Sequence, residues 1–140
     1  MKKIDYLIDP IIEFGLEAAE VANRRDQYYH NYDFAREFQT VAIKLPRQCG
    51  KSWYIARSCK RSDVIICSNE RLIKSMSDRV SLFHMDSMPH IITPRNVFVG
   101  SKVKTYHTVW IDDASYVSEE HLRQIYEAYA GWAVQFVLIG

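Results

Sequence analysis

The run Arg47-Gln48-Cys49-Gly50-Lys51-Ser52 brings together the groups that a polyphosphate needs. It follows TVAIKL (40–45), a short β-branched and aliphatic segment, and it opens a helical pattern. A loop between a strand and a helix start can turn successive N–H groups toward one anion. The helix N-terminus adds partial positive charge there. Gly50 permits close backbone approach. Lys51 is placed to bridge the outer phosphates, and the hydroxyl of Ser52 to hold Mg²⁺. Only the second half of the pattern GxxxxGK[ST] is matched, because Leu45 stands at its first glycine.

A second constellation lies about 60 residues further on, in VWIDDAS (109–115). An apolar strand delivers Asp112 at its end, placed to hold the magnesium through water, and Asp113 next to it, aimed at an attacking water. Phosphoryl transfer rests mainly on positioning and charge stabilisation. A lysine, a hydroxyl, a metal-holding acid and a water-orienting acid are therefore close to a sufficient set. Arg47 could stabilise charge on the leaving γ-phosphate. Gln48 is expected to tune the loop, and Cys49 to point inward.

The elements that must position these residues follow from period and punctuation. Asp9-Pro10 reads as a helix start, with Ile12, Leu16 and Ala19 on one side and Gly15 weakening the interior. A second helix is expected over about 26–38. Strands are expected at 40–45, 63–67, 96–100, 108–112 and 134–139, and helices at 51–60, 70–79 and from the Ser118 cap to about Ala130, with Gly131 as the stop. Residues 80–95 have no clear period. Alternating strands and helices predict a three-layer α/β fold, a mostly parallel sheet of about five strands with helices on both faces. We expect a helical N-terminal segment (1–39) packed on a core (40–140). An apolar strand ending on Gly140 without a closing helix suggests a core truncated after its fifth strand, or a minimal domain covered by a partner.

The 140 residues carry a formal charge of +1, which hides a strong segregation. Residues 1–40 have five basic against eight acidic side chains, 41–108 twelve against four, and 109–140 one against five. A basic middle third could face a polyanion. No stretch is long and apolar enough to span a bilayer, and no signal peptide is read. The spacing of Cys49, Cys59 and Cys67 fits neither a zinc site nor a disulfide framework, so reduced thiols in a cytosol-like compartment are expected.

With LPRQCGKS and VWIDDAS together, about residues 40–140 resemble the ATPase domain of the large terminase subunit, the DNA-packaging motor of tailed bacteriophages and herpesviruses. This is a P-loop NTPase of the additional-strand catalytic-acid class. The resemblance implies ATP and Mg²⁺ as cofactors, with Arg47, Gln48, Cys49, Gly50, Lys51, Ser52 and Trp53 on the nucleotide. It assigns Ser52 and Asp112 to the metal, and Lys51, Arg47 and Asp113 to catalysis. Asp113 stands where the family usually has glutamate. Implied partners are double-stranded DNA, a portal protein, a small terminase subunit and further copies in a ring, in the host cytoplasm and away from membranes. The resemblance also implies a sheet order of 5-1-4-3-2 type and an adenine site near the N-terminal segment, where Gln27, Tyr28, Tyr29 or Tyr32 could contribute. Arg57, Lys60, Arg61, Lys102 and Lys104 are candidate DNA or subunit contacts. Glu119 and Glu120 are alternative bases. The competing readings are a helicase-like DNA-translocating ATPase and a nucleotide-binding structural or regulatory protein with weak turnover.

Overall fold

The computed structural model describes residues 3–25, 30–97 and 105–140. Five strands form one sheet: β1 (Thr40–Ile43), β2 (Val64–Ile66), β3 (His90–Ile92), β4 (Tyr106–Asp112) and β5 (Ala133–Ile139). Their order is β1-β5-β4-β2-β3, and every pairing is parallel. The helices are α1 (Lys3–Arg25), α2 (Asn31–Phe38), α3 (Lys51–Ser58), α4 (Glu70–His84) and α5 (Glu119–Tyr129).

Parallel strands need crossovers, and the crossover helices here bury both faces of the sheet. One face packs α1, α3 and α4 through Ile4, Ile8, Tyr54, Ile55, Met76 and Val80 against Ile65, Trp110, Val137 and Ile139. The other packs α2 and α5 through Ala35, Ile125, Tyr126 and Tyr129 against Val64, Ile66, Val109, Ile111 and Phe136. The fold is thus a three-layer α/β sandwich. Relative to the expected 5-1-4-3-2 order, no described strand lies outside β1. The strand that follows the acidic pair, β5, inserts between the loop strand and the acidic strand.

Several boundaries move for physical reasons. Asp9-Pro10 is not a helix start: α1 begins at Lys3 and carries Pro10 inside it. Burial of Ile4 and Ile8 holds the preceding turn, while Pro10 itself lies on the exposed side. Asp9 accepts a hydrogen bond from the hydroxyl of Tyr54 instead of capping. Gly15 has a packing reason, since a Cβ there would come within 2.3 Å of Val41 Cγ2.

The third described strand is His90–Ile92, and the strand expected at 96–100 falls mostly outside the described residues. Pro94–Asn96 is a 3₁₀ turn, and residues 98–100 lie outside the described set. Brevity explains why this strand leaves no periodic trace, and Pro94 ends it. α4 runs on to His84, whose Nε2 lies 3.1 Å from the Arg57 carbonyl. The described part of the second helix is Asn31–Phe38. The expected Ser118 cap forms, accepting from His121 N, and Asn69 caps α4 by accepting from Leu72 N, each at 3.1 Å. Among the described residues, no helix is long and apolar enough to cross a membrane.

Candidate functional site

The site is built where β1, β5 and β4 end. The ladder between β1 and β5 runs one step past the strands, with Gly140 N donating to Ile43 O (2.8 Å) and Leu45 N to Gly140 O (2.9 Å). This anchors the base of the loop. The loop then turns through Gln48 (φ 58°) and Gly50 (φ 92°), and Gly50 O accepts from Tyr54 N at 2.9 Å to begin α3. A Cβ on Gly50 would meet nothing within 4 Å, so glycine is required there by the backbone conformation and not by space.

α3 carries Lys51 and Ser52 at its start. Ser52 Oγ donates to Asp112 Oδ2 at 2.9 Å, and Asp113 N donates to Asp112 Oδ1 at 3.0 Å. Asp112 is 4% exposed. Burial raises its pKa and the neighbouring Asp113 charge adds to this; the Ser52 and Asp113 N–H hydrogen bonds and the Arg79 charge oppose it. A buried carboxylate disfavoured in its ionised form, with a serine hydroxyl on one oxygen, is an all-oxygen set suited to a hard divalent cation. These residues therefore fit Mg²⁺.

Asp113 sits at φ 49° and lines the same cavity as Gln48. These two are the non-glycine residues with positive φ among the described residues, and both border one site. Conformations of this kind cost of order 1–3 kcal/mol and persist where surrounding structure imposes them.

The cavity has a volume of about 720 Å³ and is walled by Arg47, Gln48, Gly50, Lys51, Ser52, Trp53 and Asp113 among the anticipated residues. Lys51 Nζ donates to Leu45 O at 3.3 Å, folding back across the loop. The Arg47 guanidinium donates to the hydroxyl of Tyr116, on the 3₁₀ turn after Asp113. Cys49 packs inward against the core face of α1, α3 and α4 and is not on the cavity wall. Tyr54 takes the core side of α3, while Trp53 is 37% exposed. It lies on the wall with Arg79 5.5 Å above its ring and Phe83 edge-on at 6.2 Å.

Other anticipated residues lie elsewhere. Tyr32 packs edge-on to Tyr126 at 6.0 Å, in the layer of α2 and α5, away from the cavity wall. Gln27, Tyr28, Tyr29, Lys102 and Lys104 lie outside the described residues. Arg57 is half-buried in an ion pair with Asp5. Lys60 and Arg61 are exposed just before β2, at the amino ends of the strands, whereas the cavity lies at the carboxyl ends. Glu119 and Glu120 face Arg36 and Arg123 and do not line the cavity.

Sequence reasoning missed Lys44, Arg79, Ser115 and Tyr116, which complete the wall. Arg79 lies mid-helix in α4 and carries no motif; only the packing of α4 on α3 brings it near. Tyr116 lies three residues beyond Asp113, and proximity to the acidic pair was the one available signal. No protein-family model matches the chain, and no curated protein matches it.

Proposed function

We propose that this chain is a Mg²⁺-dependent ATPase module that powers translocation of double-stranded DNA into a viral procapsid, as in the large terminase subunit of tailed phages. The observation that carries the reading is the 2.9 Å bond from Ser52 to Asp112 beside the loop cavity. It unites the hydroxyl that opens α3 with the acid that ends β4, as the resemblance requires. The additional strand β5 between β1 and β4 supports the same class.

In this reading the loop N–H groups and Lys51 bind the β- and γ-phosphates. Ser52 and Asp112 hold Mg²⁺, which when bound offsets phosphate charge and orients the oxygens. Asp113 accepts a proton from the attacking water, directly or through a second water. Arg47 leaves Tyr116 to stabilise charge developing on the γ-phosphate. Double-stranded DNA, a portal protein, a small terminase subunit and ring neighbours are the proposed partners, in the host cytoplasm.

The test is Mg-ATP binding by calorimetry together with phosphate release with and without double-stranded DNA. Magnesium-dependent binding and a DNA-stimulated rate are expected. No binding at millimolar Mg-ATP would overturn the proposal. Binding with no turnover, restored by Asp113→Glu, would favour the regulatory reading, for which the aspartate in the glutamate position is the motivating observation.

A further inference from the structure

A second cavity, of about 470 Å³, opens at the carboxyl ends of β2 and β3. β2 and β4 are neighbours, yet the helices that follow them leave for opposite faces: α4 joins α1 and α3, while α5 joins α2. The cavity is lined from both sides of that divergence, by Ser68, Asn69 and Glu70 at the start of α4 and by His121 in the first turn of α5. Open parallel sheets hold ligands in such crevices, where the connections switch face.

The wall is chemically suited to an anion. α4 is a 15-residue helix whose first N–H groups have no intrahelical partner. The Asn69 side chain takes that of Leu72, leaving those of Glu70 and Arg71. Thr93 is only 4% exposed and lines the cavity, yet its hydroxyl does not cap the 3₁₀ turn that follows and has no hydrogen-bond partner among the described residues. Among the described residues the fully enclosed side-chain polar atom without a partner is Gln135 Oε1, so the Thr93 hydroxyl is open to the cavity and free to donate to a bound acceptor. Arg95 is exposed on the rim with no ion-pair partner among the described residues, and His121 lies across from it. Glu70 is the one carboxylate on the wall.

We infer that this second cavity binds the phosphate group of a phosphate ester, separate from the nucleotide proposed for the loop cavity. Arg95 and His121 supply charge and donors, the Thr93 hydroxyl donates to a phosphate oxygen, and the helix N-terminus of α4 supplies N–H groups. The phosphate can belong to the backbone of double-stranded DNA or to a free ester. The inference stands on the second cavity alone.

The test is NMR titration of the ¹⁵N-labelled chain with inorganic phosphate, glycerol 3-phosphate and a short DNA duplex, each separately, with Mg-ATP as an independent probe of Gly50–Ser52. Saturable shifts at Asn69–Arg71, Thr93–Arg95 and His121 are expected. Shifts with the duplex alone identify the nucleic-acid backbone as the source, and shifts with the small phosphates alone identify a free ester. Arg95→Ala with His121→Ala should weaken binding about tenfold or more, and Thr93→Val, which removes the hydroxyl at nearly constant volume, roughly three- to tenfold. The spectra themselves report whether each variant is folded, and the Thr93 variant leaves charge unchanged. The inference is overturned by shifts confined to residues 47–53, by no shifts with any probe, or by variants that bind as tightly as the parent. Failure of Mg-ATP to shift Gly50–Ser52 would count against the ATPase reading alone.

Discussion

Ser52 Oγ and Asp112 Oδ2 lie 2.9 Å apart, although 60 residues separate them and a whole strand, β5, stands between the strands that deliver them. Two strand spacings amount to about 10 Å, so the bond exists only because the loop arches over the end of β5. The Ile43–Gly140–Leu45 hydrogen bonds fasten that arch at its base.

Removing the hydroxyl should separate metal from nucleotide. Ser52→Ala is expected to lower the affinity for Mg-ATP about tenfold or more while leaving metal-free ATP binding nearly unchanged. Calorimetry with and without magnesium checks this. Equal losses in both conditions would place Ser52 outside the metal site.

Asp112 carries a stability cost with a definite sign. Burial raises its pKa, so the fold favours the protonated carboxyl; the penalty for ionisation sets in as pH rises past the ordinary aspartate range and is fully present above the raised pKa. Asp112→Asn removes the penalty and keeps an acceptor for Asp113 N. The variant should therefore melt higher than the parent at about pH 7, with a smaller advantage at about pH 4. Thermal unfolding of both proteins at the two pH values reads the difference, and metal-dependent nucleotide binding should be lost in the same variant.

Gly50 isolates backbone strain from crowding. A methyl group there meets nothing within 4 Å, but φ is 92°. Gly50→Ala should cost about 1–2 kcal/mol in urea unfolding with an unchanged denaturant slope, and should also weaken nucleotide binding as the loop N–H groups rotate away. A neutral substitution would mean that the loop relaxes freely.

The layered α/β fold was legible because its signals are local and repeated: apolar strand runs, the Asn69 and Ser118 caps, and helical spacing such as Leu122-Ile125-Tyr126-Tyr129. The loop and the acidic pair were legible because strand, turn and helix start are contiguous there. What escaped depends on packing. β3 is a three-residue strand, too short for a period, and among the described residues it pairs only with β2. Pro10 sits inside a helix because burial of Ile4 and Ile8 outweighs a local start signal. Asp63 opens the strand expected at 63–67. It is buried, accepting from Lys60 N, Thr108 N and Trp110 Nε1 at 2.8–3.1 Å, and those partners lie up to 47 residues away. Asp63→Ala should accordingly cost about 2–4 kcal/mol in chemical denaturation by stranding three donors.

The Arg47–Tyr116 contact gives the most direct test of how the loop arginine is used. The guanidinium rests on a hydroxyl that is anchored to the acidic turn, since Tyr116 N donates to Asp113 O at 2.9 Å. To reach a γ-phosphate it must exchange that neutral acceptor for a charged one. Arg47→Ala should therefore lower kcat by about a hundredfold or more with a much smaller change in KM, because the arginine acts on charge that develops during transfer. Tyr116→Phe removes the competing acceptor and keeps the ring, so kcat should rise by about two- to fivefold with nucleotide affinity little changed. Steady-state kinetics and equilibrium binding on the two variants decide the matter. A loss of affinity in Tyr116→Phe would mean that the hydroxyl belongs to the binding surface and does not compete for the arginine.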